Sequence, residues 1–143
     1  MTPNQVTILL VEDNPDDAAL TERALHEGMP ASFKVATDGE EALDYLFNDA
    51  NGVPPLVLLD LRLPTTDGLE VLRLIRENER TSVVPVVILT SSYSPDDLAV
   101  GYRYGANSYV RKPVDFDHFT DTARQIGRYW LVVNEPPSDS PGQ

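Results

Sequence analysis

Four apolar runs in this 143-residue chain end on groups that can do chemistry. Ile8-Leu9-Leu10-Val11 leads into Glu12-Asp13, Leu56-Val57-Leu58-Leu59 into Asp60, Val86-Val87-Ile88-Leu89 into Thr90, and Ser108-Tyr109-Val110 into Arg111-Lys112-Pro113. Short apolar runs separated by helix-like stretches read as buried parallel strands, and an open parallel sheet collects its ligands outside the carboxyl ends of its strands. Three acids, a hydroxyl and an amine then meet at one edge. Carboxylates brought within about 4–6 Å repel by several kcal/mol at an effective dielectric near 20, so a cation must compensate. An all-oxygen set on rigid strand ends suits Mg²⁺, which keeps several waters and takes one or two direct carboxylates. The D-x-D-x-D-G pattern of a calcium loop is absent. Lys112 brings a second positive charge, able to hold a carboxylate or a phosphoryl oxygen.

Glu12, Asp13, Asp16 and Asp17 also have a plainer reading, as acids that enrich the first turn of a helix and favour its positive end. That role is expected for Asp16 and Asp17, which should point outward. Asp13, at the strand tip opposite Asp60, should face the site.

The elements that must position these groups are strands at about 6–11, 32–36, 56–60, 86–90 and 107–111, alternating with helices at about 15–27, 39–48, 69–78, 95–104 and 116–130. Asn14-Pro15, Asp67-Gly68 and Ser94-Pro95-Asp96-Asp97 mark helix starts, and Gly28, Gly52 and Gly105 mark ends. Five such units with right-handed crossovers predict an α/β fold: a doubly wound, five-stranded parallel sheet of the flavodoxin-like order 2-1-3-4-5, helices on both faces. One domain over residues 1–133 is expected, followed by a flexible, acidic, proline-rich tail over 134–143.

The formal net charge of -12 disfavours nucleic acid and anionic membrane as partners. No cysteine is present, which removes disulfides and thiolate chemistry. With no signal-like start and no run near the roughly 20 apolar residues of a membrane span, a soluble cytoplasmic protein is expected. His26 and His118 have no partner at metal spacing and read as surface groups.

VEDN (Val11 to Asn14), LLDLRLPTTDG (Leu58 to Gly68), VVILTS (Val86 to Ser91) and YVRKP (Tyr109 to Pro113) together resemble the receiver domain of two-component response regulators, over about residues 6–130. The resemblance implies a phosphoacceptor Asp60 served by a histidine kinase and a Mg²⁺ site made by Glu12, Asp13, Asp60 and the main-chain carbonyl of Arg62, with Asp13 a direct ligand. It further implies Thr90 as switch hydroxyl, Tyr109 as switch aromatic, and Lys112 as phosphate clamp before a cis-like Lys-Pro bond. Receivers are not enzymes in the ordinary sense; they catalyse only their own phosphorylation and dephosphorylation. The chemistry agrees: a carboxylate attacks a phosphohistidine only where charge on the loose transition state is neutralised, so the protein's work is positioning and electrostatics. Ser91 and Arg62 depart from the commoner pattern, and both bear on how long the phosphoryl group survives. Arg62 would either shield a phosphoryl oxygen or pair with Glu12.

The chief alternative is a Mg²⁺-dependent aspartate-nucleophile phosphohydrolase, whose D-x-D motif sets a second acid two residues after the nucleophile; Arg62 stands there and cannot protonate a leaving group. A flavodoxin-like cofactor binder is disfavoured by the acidic loop Glu12 to Asp17, a poor phosphate cradle. A degenerate receiver is disfavoured by the full set of Asp13, Asp60, Thr90 and Lys112. The ending Arg128-Tyr129-Trp130-Leu131-Val132-Val133 is similar to that of small single-domain regulators paired with phytochrome-type kinases. Phe116, Phe119, Ala123, Ile126 and Trp130 form one stripe of the last helix, but Trp130 to Val133 covers more than one helical face. That run either folds back over the chain's own core or meets a second copy; a homodimer through helix 95–104, strand 107–111 and helix 116–130 is expected.

Overall fold

Every predicted strand and helix forms, with ends shifted by at most two residues, in the computed structural model, which describes residues 6–27 and 31–135. In chain order these are β1 (Val6–Val11), α1 (Pro15–His26), β2 (Ala31–Ala36), α2 (Gly39–Phe47), β3 (Val57–Leu59), α3 (Gly68–Glu77), β4 (Val86–Thr90), α4 (Pro95–Arg103), β5 (Ser108–Arg111) and α5 (Phe116–Arg128). The expected helix end at Gly28 and most of the expected tail, residues 136–143, lie outside the described residues.

The strands are parallel in the order β2-β1-β3-β4-β5. From β1 the chain first builds outward to β2, then crosses to β3 on the other side, so the switch point falls between β1 and β3. Register aligns Val11 with Leu59 and Leu59 with Ile88, which sets Glu12 and Asp60 side by side one residue beyond. Main-chain bonds carry the ladder past the strands: Asp60 N–H donates to Val11 O at 3.0 Å, Glu12 N–H to Ala36 O at 2.9 Å, and Lys112 N–H to Thr90 O at 2.7 Å. Each tip residue is therefore held by its neighbour.

Alternation along the strands splits the core into two layers. Leu9, Val11, Val57, Leu59, Val86 and Ile88 face Val71, Leu72 and Ile75 of α3 and the buried side of α2. Ile8, Leu10, Leu58, Val87 and Leu89 face Ala18 and Leu25 of α1 and Phe119 and Ile126 of α5. The helix starts use the caps expected: the Asn14 side chain accepts from the N–H groups of Asp16 and Asp17, Asp67 from Leu69, and Ser94 from Asp97. Gly68 leaves room for a close approach, since a Cβ there would lie 2.6 Å from Asp60 O; the start of α3 thus packs directly beneath the acceptor loop.

Two expectations need correction. No described peptide bond is cis, so Lys112–Pro113 is trans, the form an X–Pro bond favours by about 0.5–1 kcal/mol where packing does not select against it. The stripe on the last helix is also shorter than expected. Phe119, Ala123 and Ile126 are buried, but Phe116 is 57 % exposed, because it opens α5 at the rim of the sheet. The chain then widens into a π-helix over Tyr129–Val133, closed by Asn134 N–H to Tyr129 O. Trp130 and Leu131 fold onto the α1/α5 side of the core, while Val132 and Val133 stay 58 % and 61 % exposed. Among the described residues no helix is long and apolar enough to cross a membrane.

Candidate functional site

Asp60 is buried and its two carboxylate oxygens are held separately. Oδ1 accepts from Thr90 Oγ1 at 2.9 Å and from Arg62 N–H at 3.0 Å, and Oδ2 accepts from Lys112 Nζ at 2.8 Å. These contacts link the tips of β3, β4 and β5. Carboxylate oxygens of Glu12, Asp13 and Asp60 lie within 4.8 Å of one another, Asp13 open to solvent and the other two buried. Such an all-oxygen set with one open side fits a hard, partly hydrated divalent cation.

Lys112 is itself buried and donates to Glu12 Oε1 at 2.5 Å, Asp60 Oδ2 at 2.8 Å and Asp17 Oδ2 at 2.9 Å. Asp17 therefore does not point outward as expected. Capping by Asn14 turns the first residues of α1 so that Asp17 faces β5 while Asp16 remains at the surface. Arg62 takes part through its main chain; its side chain is exposed and forms no ion pair among the described residues, and Glu12 pairs with Lys112 instead.

One ammonium faces several carboxylates, and the protonation of the site follows from that imbalance. Burial pushes the Glu12 carboxyl up to about 7, helped by the neighbouring Asp60 charge and opposed by Lys112 and the Asn14 N–H. Burial pulls Lys112 down, but hydrogen bonds to Asp60, Glu12 and Asp17 outweigh it and hold the ammonium above its ordinary value. The metal-free site thus keeps Lys112 charged and leaves Glu12 as the acid that retains a proton near neutrality.

A folded-state pKa above the ordinary 4.5 means that the unfolded chain releases this proton first as pH rises. In chelator, the Glu12 contribution to stability should fall from about pH 4.5 to about pH 7 and then level. Glu12→Gln should accordingly gain on the parent across that window, by a few kcal/mol at most. Denaturant titrations at a series of pH values measure the difference, and a difference independent of pH would contradict the proposed protonation.

Thr90 is fully buried, and its Oγ1, besides donating to Asp60, lies 3.3 Å from the donating Ser92 N–H. It is thus already tied to the acceptor with no phosphoryl group present. Tyr109 is half-buried on β5, its ring against Gly101 of α4 and its hydroxyl 3.5 Å from Ser92 O, the outer limit of a hydrogen bond. Ser92, which the sequence reading passed over, is fully buried and donates to Asp97 Oδ2 at 2.6 Å, tying the β4–α4 loop to α4. Its only signal was its place two residues after Thr90. Beside the clamp a groove of about 330 Å³ opens between Asp17 and Leu20 on one side and Tyr93, Val114 and Phe116 on the other. His118 is exposed, with its Nδ1 3.6 Å from Asp115 Oδ2, and His26 lies edge-on to Phe33; among the described residues neither belongs to the acid cluster.

The sequence pattern of the response regulator receiver domain matches residues 8–124. The chain is a member of that family. It is 46% identical over 134 residues to the probable methanogenesis regulatory protein FilR2 of Methanothrix harundinacea, covering 91% of this chain and 86% of that one. It is 33% identical over 136 residues to the response regulator Rcp1 of Synechocystis, covering 92% of each. Other relatives are longer: this receiver spans 24% of a probable cyclic di-GMP phosphodiesterase of Vibrio cholerae, at 39% identity over 111 residues and 78% of this chain. Among solved structures, the phosphorylated cyanobacterial phytochrome response regulator RcpA superposes with a TM-score of 0.88 at 34% identity, covering 94% of this chain and 99% of that one. The Mn²⁺-bound form of Rcp1 superposes with a TM-score of 0.87 at 32% identity, covering 93% and 99%. This receiver is thus related to phytochrome response regulators.

Proposed function

We propose that the chain works as a single-domain response regulator, with its receiver over residues 1–133, that accepts a phosphoryl group on Asp60 from a phytochrome-type sensor histidine kinase in the cytoplasm. The observation that carries this reading is the state of the Asp60 carboxylate: Oδ1 bound by Thr90 and the Arg62 amide, Oδ2 by Lys112, with Glu12 and Asp13 beside it. The likeness to RcpA and Rcp1 supports the phytochrome pathway. Labelling with acetyl phosphate and Mg²⁺, read by intact mass, tests acceptance at Asp60; transfer from a phytochrome-type kinase tests the donor.

In this mechanism an Asp60 oxygen attacks phosphorus as the bond to the donor nitrogen breaks, and the phosphoryl group leaves histidine for the carboxylate. Lys112 balances charge on the carboxylate and on the transferring oxygens, while the Arg62 N–H and Thr90 hydroxyl hold the acceptor in place. Mg²⁺, when held by Glu12, Asp13, Asp60 and the Arg62 carbonyl, would supply further neutralisation of phosphoryl charge. The product adds about -1.5 to -2 charge and three acceptor oxygens. Thr90 then turns from Asp60 Oδ1 to a phosphoryl oxygen, drawing in the β4–α4 loop through its bond to Ser92, and Tyr109 follows. The chain acts as acceptor and self-catalyst rather than as a phosphohydrolase, since no acid stands two residues past Asp60.

The output surface is α4, β5 and α5, and it serves a homodimer. Val132 and Val133 are exposed on the π-helix that continues α5, with Tyr129 beside them at 49% exposure and Tyr102 of α4 at 51%. Burying these exposed side chains against a partner copy, each worth at most roughly 1.5–3 kcal/mol, favours association only together with the rest of the α4–β5–α5 face, because bringing two copies together costs about 4–15 kcal/mol. Truncation after Tyr129 should weaken self-association in sedimentation velocity while leaving Asp60 labelling intact. A concentration-independent monomer for the full chain, phosphorylated or not, would rule the dimer out. The acidic balance of the chain disfavours nucleic acid and membrane as partners.

A further inference from the structure

Ser92 is fully buried in the loop between β4 and α4, with exposed Ser91 and Tyr93 on either side of it. Every polar group it has is engaged. Its N–H donates to Thr90 Oγ1 at 3.3 Å and its carbonyl accepts from the Tyr109 hydroxyl at 3.5 Å. Its own hydroxyl donates to Asp97 Oδ2 at 2.6 Å and accepts from Ser94 N–H at 3.2 Å. One residue thus touches the group bound to Asp60, the aromatic ring on β5 and the first turn of α4.

These bonds differ in strength. A hydroxyl 2.6 Å from a carboxylate makes a charge-assisted bond, roughly twice as strong as a neutral one, whereas the contacts at 3.3 Å and 3.5 Å are long. Toward Thr90 no strong bond is needed, since only Ser91 separates the two residues along the chain. Toward α4 the chain offers no such short link. From Ser92 to Asp97 it runs through Tyr93, Ser94, Pro95 and Asp96, of which all but Ser94 are exposed, and the backbone dihedrals of that stretch can take up a displacement of Ser92. The side-chain bond bypasses the stretch. It is also hard to give up, because the buried hydroxyl would lose its acceptor away from water.

We propose that Ser92 is a positioning residue that couples the acceptor site to α4: when Thr90 turns toward a phosphoryl oxygen on Asp60, Ser92 moves with it, and its hydroxyl carries the first turn of α4 along through Asp97. The Ser92–Asp97 bond then decides how much of the change at Asp60 reaches the output surface. Asp96, one residue earlier, bears the same charge at the surface. The inference rests on Asp60 being the phosphoacceptor and on Thr90 turning to its phosphoryl group.

The test is a set of amide ¹H–¹⁵N spectra of the full chain at saturating Mg²⁺, with and without beryllofluoride, which occupies a carboxylate as a phosphoryl group does without a covalent transfer. In the parent, signals from Thr90 and Ser91 and from Leu98 to Gly101 of α4 should all shift. In Ser92→Ala the Thr90 and Ser91 signals should still shift, because Asp60, Thr90 and Lys112 are untouched, while the α4 shifts should fall below about half their parental size. Asp97→Ala should show the same loss, and the double variant no more than either single one, as expected of two groups that act through one bond. Asp97→Asn keeps an oxygen for the Ser92 hydroxyl and should retain the larger part of the α4 response. Asp96→Ala should respond as the parent does, whereas a role confined to the charge at the start of α4 would be lost equally there. Should Ser92→Ala fail to fold, Asp97→Ala carries the same expectation. Undiminished α4 shifts in Ser92→Ala or Asp97→Ala, equal loss in Asp96→Ala, or a parent that binds beryllofluoride without any shift in α4 overturns the proposal while leaving Asp60 as acceptor. A parent that binds no beryllofluoride at all overturns both.

Discussion

Asp60→Asn should take up no phosphoryl group from acetyl phosphate and Mg²⁺, whereas the parent gains the mass of one. The amide keeps the shape of the side chain and still offers an oxygen to Thr90 and the Arg62 N–H, now at Asp60 Oδ1. What it lacks is the charge and the second lone-pair-bearing oxygen, which now faces Lys112 at 2.8 Å. Without a carboxylate there is no nucleophile, and losses on removing a nucleophile are roughly 10³-fold or more. Thr90, Lys112 and the acid pair remain in the variant, so any residual labelling would have to sit on another residue. Full labelling of Asp60→Asn would transfer the acceptor role elsewhere, and peptide mapping of the product would say where.

Asp13→Asn should abolish most of the stabilisation that Mg²⁺ gives the parent. A ligand that binds only the folded state adds RT ln(1 + [L]/Kd), about 2.7 kcal/mol at a hundredfold excess over Kd, and a shift of that size raises the thermal midpoint by several degrees. The oxygens of Glu12, Asp13 and Asp60 are close enough to share one ion, and Asp13 is the member open to solvent. Removing its charge should also raise the midpoint slightly in chelator, since one fewer anion then crowds a site whose cation, Lys112, already serves Glu12, Asp17 and Asp60. Scanning calorimetry of both proteins with and without Mg²⁺ reads both effects. A metal-free midpoint that falls in Asp13→Asn would show that the carboxylates are not in strained proximity, and an undiminished Mg²⁺ shift would place the ion outside this cluster.

Much of this protein is written locally. Apolar runs of strand length that each end on a polar residue determine both the strands and their chemical tips, because burial on two faces demands unbroken apolar stretches and the carboxyl ends of parallel strands open to ligands. Asn14-Pro15, Asp67 and Ser94-Pro95 determine helix starts, because a side-chain oxygen caps free N–H groups in any tertiary context. Glu12, Asp13, Asp60, Thr90 and Lys112 could therefore be named from the sequence, and the fold unites them.

What only the tertiary structure decided involves partners far apart in the chain. Asp17 and Lys112 are 95 residues apart, and nothing in the acidic run Glu12 to Asp17 distinguishes the aspartate facing β5 from the one facing water. Arg76, in the last turn of α3, is partly buried and donates to Gly105 O, Val84 O and Asn107 Oδ1, joining α3 to the entry ends of β4 and β5. The apolar run Trp130 to Val133 lies on the π-helix and divides between core and solvent, Trp130 and Leu131 packing against the α1/α5 side while Val132 and Val133 stay exposed. Helical and strand periods are properties of a few neighbouring residues, whereas the direction in which a charged side chain points depends on which distant group the packed sheet brings within 3 Å of it.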